Sequence, residues 1–544
     1  MTLRLSTGSN IHEIYHQCLS FLFSVRQNYK SIYNTLYLRD LSKYAIIINI
    51  CEIRGLKSAL EAELNQQQNG MQSVLLRFSG IESRANSMII QNKKRNKNYR
   101  YGRQANLLAI VLLTLISISF TAPSKVSTYE KPINHVQTSV KEPNNDPKHI
   151  ILTWKSNPAT SQSVTWRTDS SVSQAVAEIA LADPSPDFGK NAEKHQAVTT
   201  KLYTEDGLVF YHSVNFINLR PKSLYAYRVS AGETWSEWFH FRTASNRPDP
   251  FEFIYFGDAQ NNIYSLWSRA VRSAYSYTPK ASFMIHAGDL VNRANSERQW
   301  SEWFKAGGWI FAMMPSLPVV GNHDYGKDKN NNHRISSYWQ PQFMLPEHLT
   351  NGLEEMVYYI DYQGVRLIIL NSNERLTEQT RWLENLLQDN PNNWTVVTFH
   401  HPIFSSAKSR DNKKLRNLWK PIFDKYKVDI VLQGHDHTYS RGRNLQNDTN
   451  FFKNESGTMY VNSVSGPKMY KLSSNRWMDR AAENTQLFQV ISITKTALHY
   501  EALTVTGELY DSFDLIKREG ASNELVDKIP PELPERTFES SAVP

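Results

Sequence analysis

His286-Ala-Gly-Asp289-Leu-Val-Asn292 follows directly on the apolar run Ala281-Ser-Phe-Met-Ile285. Such a run reads as a buried strand, and Gly288 permits the sharp backbone turn that presents Asp289 just past its end. One Gly-Asp at a strand end carries little information. Four more clusters repeat the layout: Gly257-Asp258-Ala-Gln260, Gly321-Asn322-His323-Asp324, Val397-Thr-Phe-His400-His401-Pro402 and Gly434-His435-Asp-His437. Each sets metal-ligand side-chain types beyond an apolar segment. Asp289 is therefore expected to be a carboxylate shared by two metal ions, with the other clusters assembled around it.

Outward from that stretch, strands and helices alternate. Phe251–Phe256 reads as the strand before Asp258, and Ile263–Tyr277 has helical spacing, with Leu266, Ala270 and Ala274 on one stripe. A Trp-rich helix is expected over Glu297–Phe311 and a hairpin on Gln363-Gly364. The helix Thr377–Gln388 and strand Trp394–Phe399 lead to His400, and a helix near Leu415–Tyr426 and strand Val428–Leu432 lead to His435 and His437. Alternation with polar clusters at strand C-terminal ends predicts an α/β sheet whose site lies along one edge. Strand pairs at 487–494 and 497–504 would close a second sheet.

Upstream, residues 148–244 carry short alternating strands: Ile150–Trp154, Ser163–Trp166, Tyr211–Phe216, Tyr225–Val229 and Trp238–Thr243. Period-2 patterning with turns between predicts a β-sandwich. Leu219-Arg-Pro-Lys-Ser-Leu-Tyr225 resembles the tyrosine corner of fibronectin type III domains, with Trp166 as a core residue. Ser245–Pro250 reads as a linker to a second domain over 251–516, and 519–544, charged and proline-bearing, as a flexible tail.

The net charge of +9 raises nucleic acid as a partner. Its location removes that reading. Residues 1–122 hold 15 Lys+Arg against 6 Asp+Glu, and the rest of the chain carries 46 of each sign. Both cysteines, Cys18 and Cys51, also precede residue 123, so disulfides and thiolate metal sites are excluded from the folded part. Within the leader, the basic run Lys93–Arg103 precedes the apolar run Leu107–Phe120. Segment 93–122 thus has the build of a secretory signal or, uncleaved, of an anchor. Met88 stands just ahead as an alternative start, which leaves 1–92 a leader of doubtful status, and 123–147 reads as a linker. A cleaved signal implies a secreted or periplasmic protein with no stable membrane insertion. Asn393, Asn447 and Asn454 head glycosylation sequons that count only in a eukaryotic secretory route.

Two divalent ions held close together require hard carboxylates, neutral imidazoles and an amide oxygen, one carboxylate bridging. Asp258, Asp289, Asn322, His400, His435 and His437 supply such a set, and the i, i+2 spacing of the last two lets their rings reach different ions. His286, three residues ahead of Asp289, reads as a buried strand residue.

The order of the five clusters resembles the calcineurin-like metallophosphoesterase superfamily. With the preceding sandwich it resembles a purple acid phosphatase, over about residues 148–516. The resemblance implies a fibronectin III-like sandwich followed by an αββα four-layer α/β domain, and hydrolysis of phosphomonoesters, usually in acid. It implies a first ion on Asp258, Asp289 and His437, and a second on Asp289, Asn322, His400 and His435. The chain departs from the family twice. Where purple members carry an iron-binding tyrosine, this chain has Asn292, so no iron–tyrosinate is expected and the ions would be Fe, Zn or Mn. Either Asn292, favoured by its aligned position, or Gln260 would offer an amide there. A family histidine is also missing, its positions being Ser409 and Arg410, and His401 or Arg410 would replace it.

The expected reaction is attack on a small phosphoester by a metal-activated water. His323 would contact the phosphoryl group and protonate the leaving oxygen, oriented by Asp324 unless that carboxylate belongs to a surface loop. Asn322, His323 and Arg410 would contact substrate, and His401 is a further catalytic candidate. A phosphodiesterase or nucleotide hydrolase on the same ions is the nearest alternative, and a non-catalytic surface binding protein the alternative of another class. A homodimer through the sandwich is compatible with this reading.

Overall fold

The computed structural model describes residues 146–537, apart from 329, 350–351, 444–454 and 474–476. The leader, the signal or anchor and nearly all of the 123–147 linker lie outside the described residues, as do the sequons at Asn447 and Asn454. Among the described residues no helix is long and apolar enough to cross a membrane.

Alternating residues build a two-sheet sandwich first. One sheet runs Lys148–Thr153, Gln162–Asp169, Gly207–Phe216, Val198–Thr204, and the other is centred on Leu224–Ala231. Trp166 is fully buried between them and donates its indole N–H to the Ser230 carbonyl at 2.8 Å. The Tyr225 hydroxyl accepts the Arg220 backbone N–H at 2.9 Å. Both aromatics are packing residues with satisfied polar tips, as expected of amphipathic rings in a core.

The second domain has two facing sheets. In the first, Ser316–Pro318, Met284–His286 and Phe251–Phe256 run parallel and adjoin an antiparallel set that begins with Leu487–Ile493 and Ala497–Thr504. In the second, Val365–Ile369, Trp394–Thr398, Ile430–Gln433 and Met459–Asn462 run parallel. Parallel strands covered on both faces carry continuous apolar runs, which is why these segments showed no alternation. Tyr255 of the first sheet donates its hydroxyl to the Gln433 carbonyl of the second, and the Tyr439 and Tyr500 hydroxyls meet at 3.2 Å. Helix Ser268–Tyr277 packs outside the first sheet against Leu487–Ile493. Helices Leu376–Gln388 and Lys413–Lys425 pair outside the second, Trp419 meeting Phe399 edge-on at 4.8 Å. The layers are therefore helix, sheet, sheet, helix.

Several expectations need correction. The helix expected over Glu297–Phe311 is two, Glu297–Gly307 and Trp309–Met313, because Gly308 takes φ of +53° and ends the first. The tail expected from 519 is built into the domain as far as the described residues reach. Asn523–Asp527 is a strand on Leu509–Ile516, and Arg441, fully buried, pairs with Asp511 and Asp527. Charge there reads as solvation in sequence, yet it neutralises buried partners. The domain boundary at 516 moves accordingly.

The sandwich sits against the second domain through buried polar contacts, Tyr227 hydroxyl to Ala312 carbonyl at 2.6 Å and Thr165 hydroxyl to Gln342 carbonyl at 2.5 Å.

Candidate metal centre

The first three parallel strands and the second-sheet strands end at the same edge, and their following loops converge there. Asp258, Asp289 and His437 form one group of ligand atoms, and Asp289, His400 and His435 a second; within each, the atoms lie within 4.8 Å of one another. Asp289 belongs to both. Tight turns make this convergence possible. Asp289, His435 and His437 have φ of 51°, 75° and 49°, a conformation costly for residues with a Cβ and concentrated at functional sites. Gly288, at φ of +90°, passes so close to His400 that a Cβ would stand 2.5 Å from Nδ1.

The ligand atoms are aimed by backbone groups. His400 Nδ1 meets the Ala287 carbonyl at 2.8 Å and His437 Nδ1 the Lys468 carbonyl at 2.9 Å, which turns both Nε2 atoms inward. There His400 Nε2 lies 3.2 Å from Asp289 Oδ2, and His437 Nε2 3.3 Å from Asp258 Oδ2. His435 presents Nδ1, 3.2 Å from His400 Nε2. Asn322 Oδ1 joins the second group at 3.2 Å from the same His400 nitrogen. The outer oxygens of the carboxylates accept backbone N–H groups, His435 N–H to Asp258 Oδ1 at 2.6 Å and His323 N–H to Asp289 Oδ1 at 2.7 Å.

Such a buried cluster has unbalanced charge. Burial would depress His400, but Asp289 and Asp258 outweigh it and push its pKa up to about 9. Burial raises and His400 lowers Asp289, with the lowering dominant, whereas burial holds Asp258 above the ordinary carboxylate range. His435 and His437 are lowered, first by burial. Two carboxylates, three imidazoles and an amide oxygen on a compact edge fit two hard or borderline divalent ions.

The remaining expected residues divide. His323 Nδ1 meets the Asn292 carbonyl at 2.9 Å, next to the centre. Asp324 does not orient that ring. Fully buried, it accepts the backbone N–H groups of Gly321, Asp289 and Leu290 at 2.8, 3.0 and 3.2 Å and so positions the Asp289 turn. Asn292 meets only the His323 ring, through its backbone carbonyl, and lines a pocket of about 540 Å³. The amide within the first group is that of Gln260, whose Nε2 lies 2.7 Å from Asp289 Oδ2 and 3.1 Å from His437 Nε2. His401 packs on His435 with ring centres 4.2 Å apart and takes a 2.9 Å hydrogen bond with Ser372; burial lowers it to about 3. Arg410 bonds the His435 carbonyl at 3.0 Å and lies over the Tyr470 ring at 4.7 Å. His286 is buried between Phe256, Trp267, Trp303 and Phe311, as read from the sequence.

Missed by sequence reasoning were Lys468, which holds His437, and Ser372, which holds His401. Neither lies in a motif, and no local pattern marks them.

The family model described as the purple acid phosphatase N-terminal domain matches residues 147–243, and that described as calcineurin-like phosphoesterase matches 252–439. The fold is calcineurin-like, of purple acid phosphatase type. A purple acid phosphatase of yellow lupin superposes with a TM-score of 0.57 at 19% identity over 69% of this chain and 75% of its own. PhoD does so with 0.52 at 12% identity over 72% and 94%. An uncharacterized protein of Mycobacterium tuberculosis is 27% identical over 337 residues, 55% of this chain and 62% of its own length. The purple acid phosphatase of Glycine max is 26% identical over 282 residues, 48% of this chain and 60% of its own. The chain thus spans about three-fifths of the length of these curated relatives.

Proposed function

We propose that this chain is a secreted, metal-dependent hydrolase of phosphomonoesters, of acid phosphatase type, with a fibronectin III-like sandwich ahead of its catalytic domain. The observation that carries the reading is the pair of ligand groups sharing Asp289 at one sheet edge. The first ion would rest on Asp258, Asp289 and His437, the second on Asp289, Asn322, His400 and His435. When bound, the ions neutralise phosphoryl charge and make a water acidic enough to supply the nucleophile.

The chain's own groups do the rest. Asp289, held by the N–H of His323, keeps both ligand groups in register. The His323 Nδ1 contact with the Asn292 carbonyl turns Nε2 outward, where it can hold a proton for the leaving oxygen. His401, neutral and packed on His435, steadies that ligand. Asn at position 292 supports a centre without iron–tyrosinate, hence without a visible charge-transfer band. The Lys93–Arg103 and Leu107–Phe120 runs support secretion, and the Arg220–Tyr225 bond supports the fibronectin-like identity.

The test is turnover of p-nitrophenyl phosphate and of its bis-ester by metal-loaded protein. Faster hydrolysis of the monoester, lost in Asp289→Asn, is expected. Bis-ester preference would make the protein a phosphodiesterase, and turnover of neither would end the enzyme reading.

A further inference from the structure

The loops that carry Asp258 and Asp289 run on together past the ligand residues. The Asp289 carbonyl accepts the backbone N–H groups of Ala259 and Gln260 at 3.3 and 3.2 Å, which laces the two loops. Their continuations, 261–265 and 292–293, line the pocket of about 540 Å³ together with the start of helix Glu297–Gly307. That volume lies in the range of pockets that take small molecules. Two links tie the pocket to the centre. Asn261 directly follows Gln260, whose amide lies 2.7 Å from Asp289 Oδ2. The Asn292 carbonyl meets the His323 ring at 2.9 Å, and the His323 N–H in turn meets Asp289 Oδ1 at 2.7 Å. The pocket wall thus begins at the histidine given above to the leaving oxygen.

Donors dominate that wall. Gln299 is 7% exposed, and its Oε1 accepts the backbone N–H groups of Asn292 and Arg293, each at 2.9 Å. Those two donors fix the orientation of the amide, since only its oxygen accepts. The NH2 is left facing the pocket that Gln299 lines, and among the described residues it has no acceptor. A buried donor without a protein partner, aimed into a cavity, is set up for an acceptor on a ligand. Arg293 lines the same space, exposed and in no ion pair among the described residues. Glu302, the carboxylate on the wall, is held by Arg298 at 2.5 Å. The helical run Ile263–Trp267, which continues into Ser268–Tyr277, also starts at the pocket. Asn262 ahead of it has φ of 45° and gives no side-chain cap to its first N–H groups. An uncapped helix start favours an anion.

We propose that this pocket is the leaving-group subsite and holds a second phosphate of the substrate, bound by the Gln299 NH2 and Arg293 at the uncapped helix end. The proposal rests on the phosphoester reading above and narrows its substrate to small molecules with two phosphates. Amide, guanidinium and helix N–H groups come from three separate segments. A phosphate offers three oxygens in three directions, whereas a carboxylate offers two in one plane. One phosphate is cleaved at the metal centre with one water consumed, and the other stays esterified to the leaving part.

The experiment uses the zinc-loaded full chain with α,ω-alkanediol bisphosphates of increasing spacer length and alkyl monophosphates of the same lengths. Wild type should favour one bisphosphate by about ten-fold in kcat/KM, the effect of one charge-assisted hydrogen bond. Arg293→Met should lower that ratio several-fold. Gln299→Glu keeps an oxygen for the Asn292 and Arg293 N–H groups but replaces the NH2 with a negative oxygen. It should bring the ratio to one or below. Because each ratio compares two substrates on one variant, a general loss of activity cancels. Equal kcat/KM for both classes at every spacer, or a ratio unmoved by both substitutions, would overturn the subsite. An equal preference for ω-carboxyalkyl phosphates would overturn the choice of phosphate. Should wild type cleave neither class, the catalytic reading is lost, and calorimetry with non-cleavable alkane bisphosphonates and alkylphosphonates reads the same ratio as Kd. A gap of about ten-fold that vanishes in Gln299→Glu then upholds the subsite. No gap, or one that survives that substitution, sinks it as well.

Discussion

Two histidines of equal burial behave oppositely. His212 in the sandwich and His400 in the α/β domain are both 0% exposed. His212 lies between two hydroxyls, Thr168 at 2.8 Å and Thr199 at 2.9 Å, and burial lowers its pKa to about 4. His400 lies against Asp289 and Asp258, which overcome burial and raise it to about 9. Removing an imidazole from water discharges it; two carboxylates reverse the sign. The sandwich histidine is a packing residue with satisfied nitrogens. Its counterpart belongs to a cluster whose charge calls for a cation, which is why, among the described residues, the site is read in the second domain.

The comparison breaks most completely if Asp289 is altered. Asp289→Asn should remove the shared carboxylate, cost both ions and lower turnover by roughly 10³-fold or more, seen in metal content and p-nitrophenyl phosphate assays. Titration by NMR should then show the His400 pKa fall toward that of His212. His323→Ala should retain both ions and lose roughly 10²-fold in kcat, as expected for a missing proton donor. The charge on His400 can be read directly. In metal-free protein it keeps its proton up to about pH 9, and a bound imidazole must give it up. Zinc uptake at pH 7 should release about one proton, a release that fades above pH 9, measurable by calorimetry in buffers of different ionisation enthalpy.

The smallest effect lies in the sandwich. His212→Gln should leave turnover unchanged and lower stability at pH 7.5 by about 1 kcal/mol through weaker bonding of the two threonines. The folded pKa of His212 lies below its unfolded value near 6.5, so its contribution is complete above pH 6.5 and lost as pH falls through 4. Melting curves should therefore show the gap closing in acid. A gap independent of pH would mean that His212 is not neutral and buried as described.

Much of the centre was legible because its residues sit just past strand ends, and apolar runs mark those ends. Asp258, Asp289, Asn322, His400, His435 and His437 were each readable this way. Asp324 was not, since its three backbone donors lie on turns that sequence spacing does not place. Asp527 was misjudged with the tail that holds it: a charged residue in a proline-bearing stretch looks solvated until its buried partner, here Arg441, is known.

The sequence by itself determined the order of strands, helices and ligand clusters, because period, turn residues and strand-end chemistry are local. It also determined that position 292 holds no tyrosine. Only the tertiary structure decided which amide enters the first group. Gln260 meets His437 across 177 residues of chain and Lys468 across 208, and no local pattern encodes a contact made only when two sheets pack face to face.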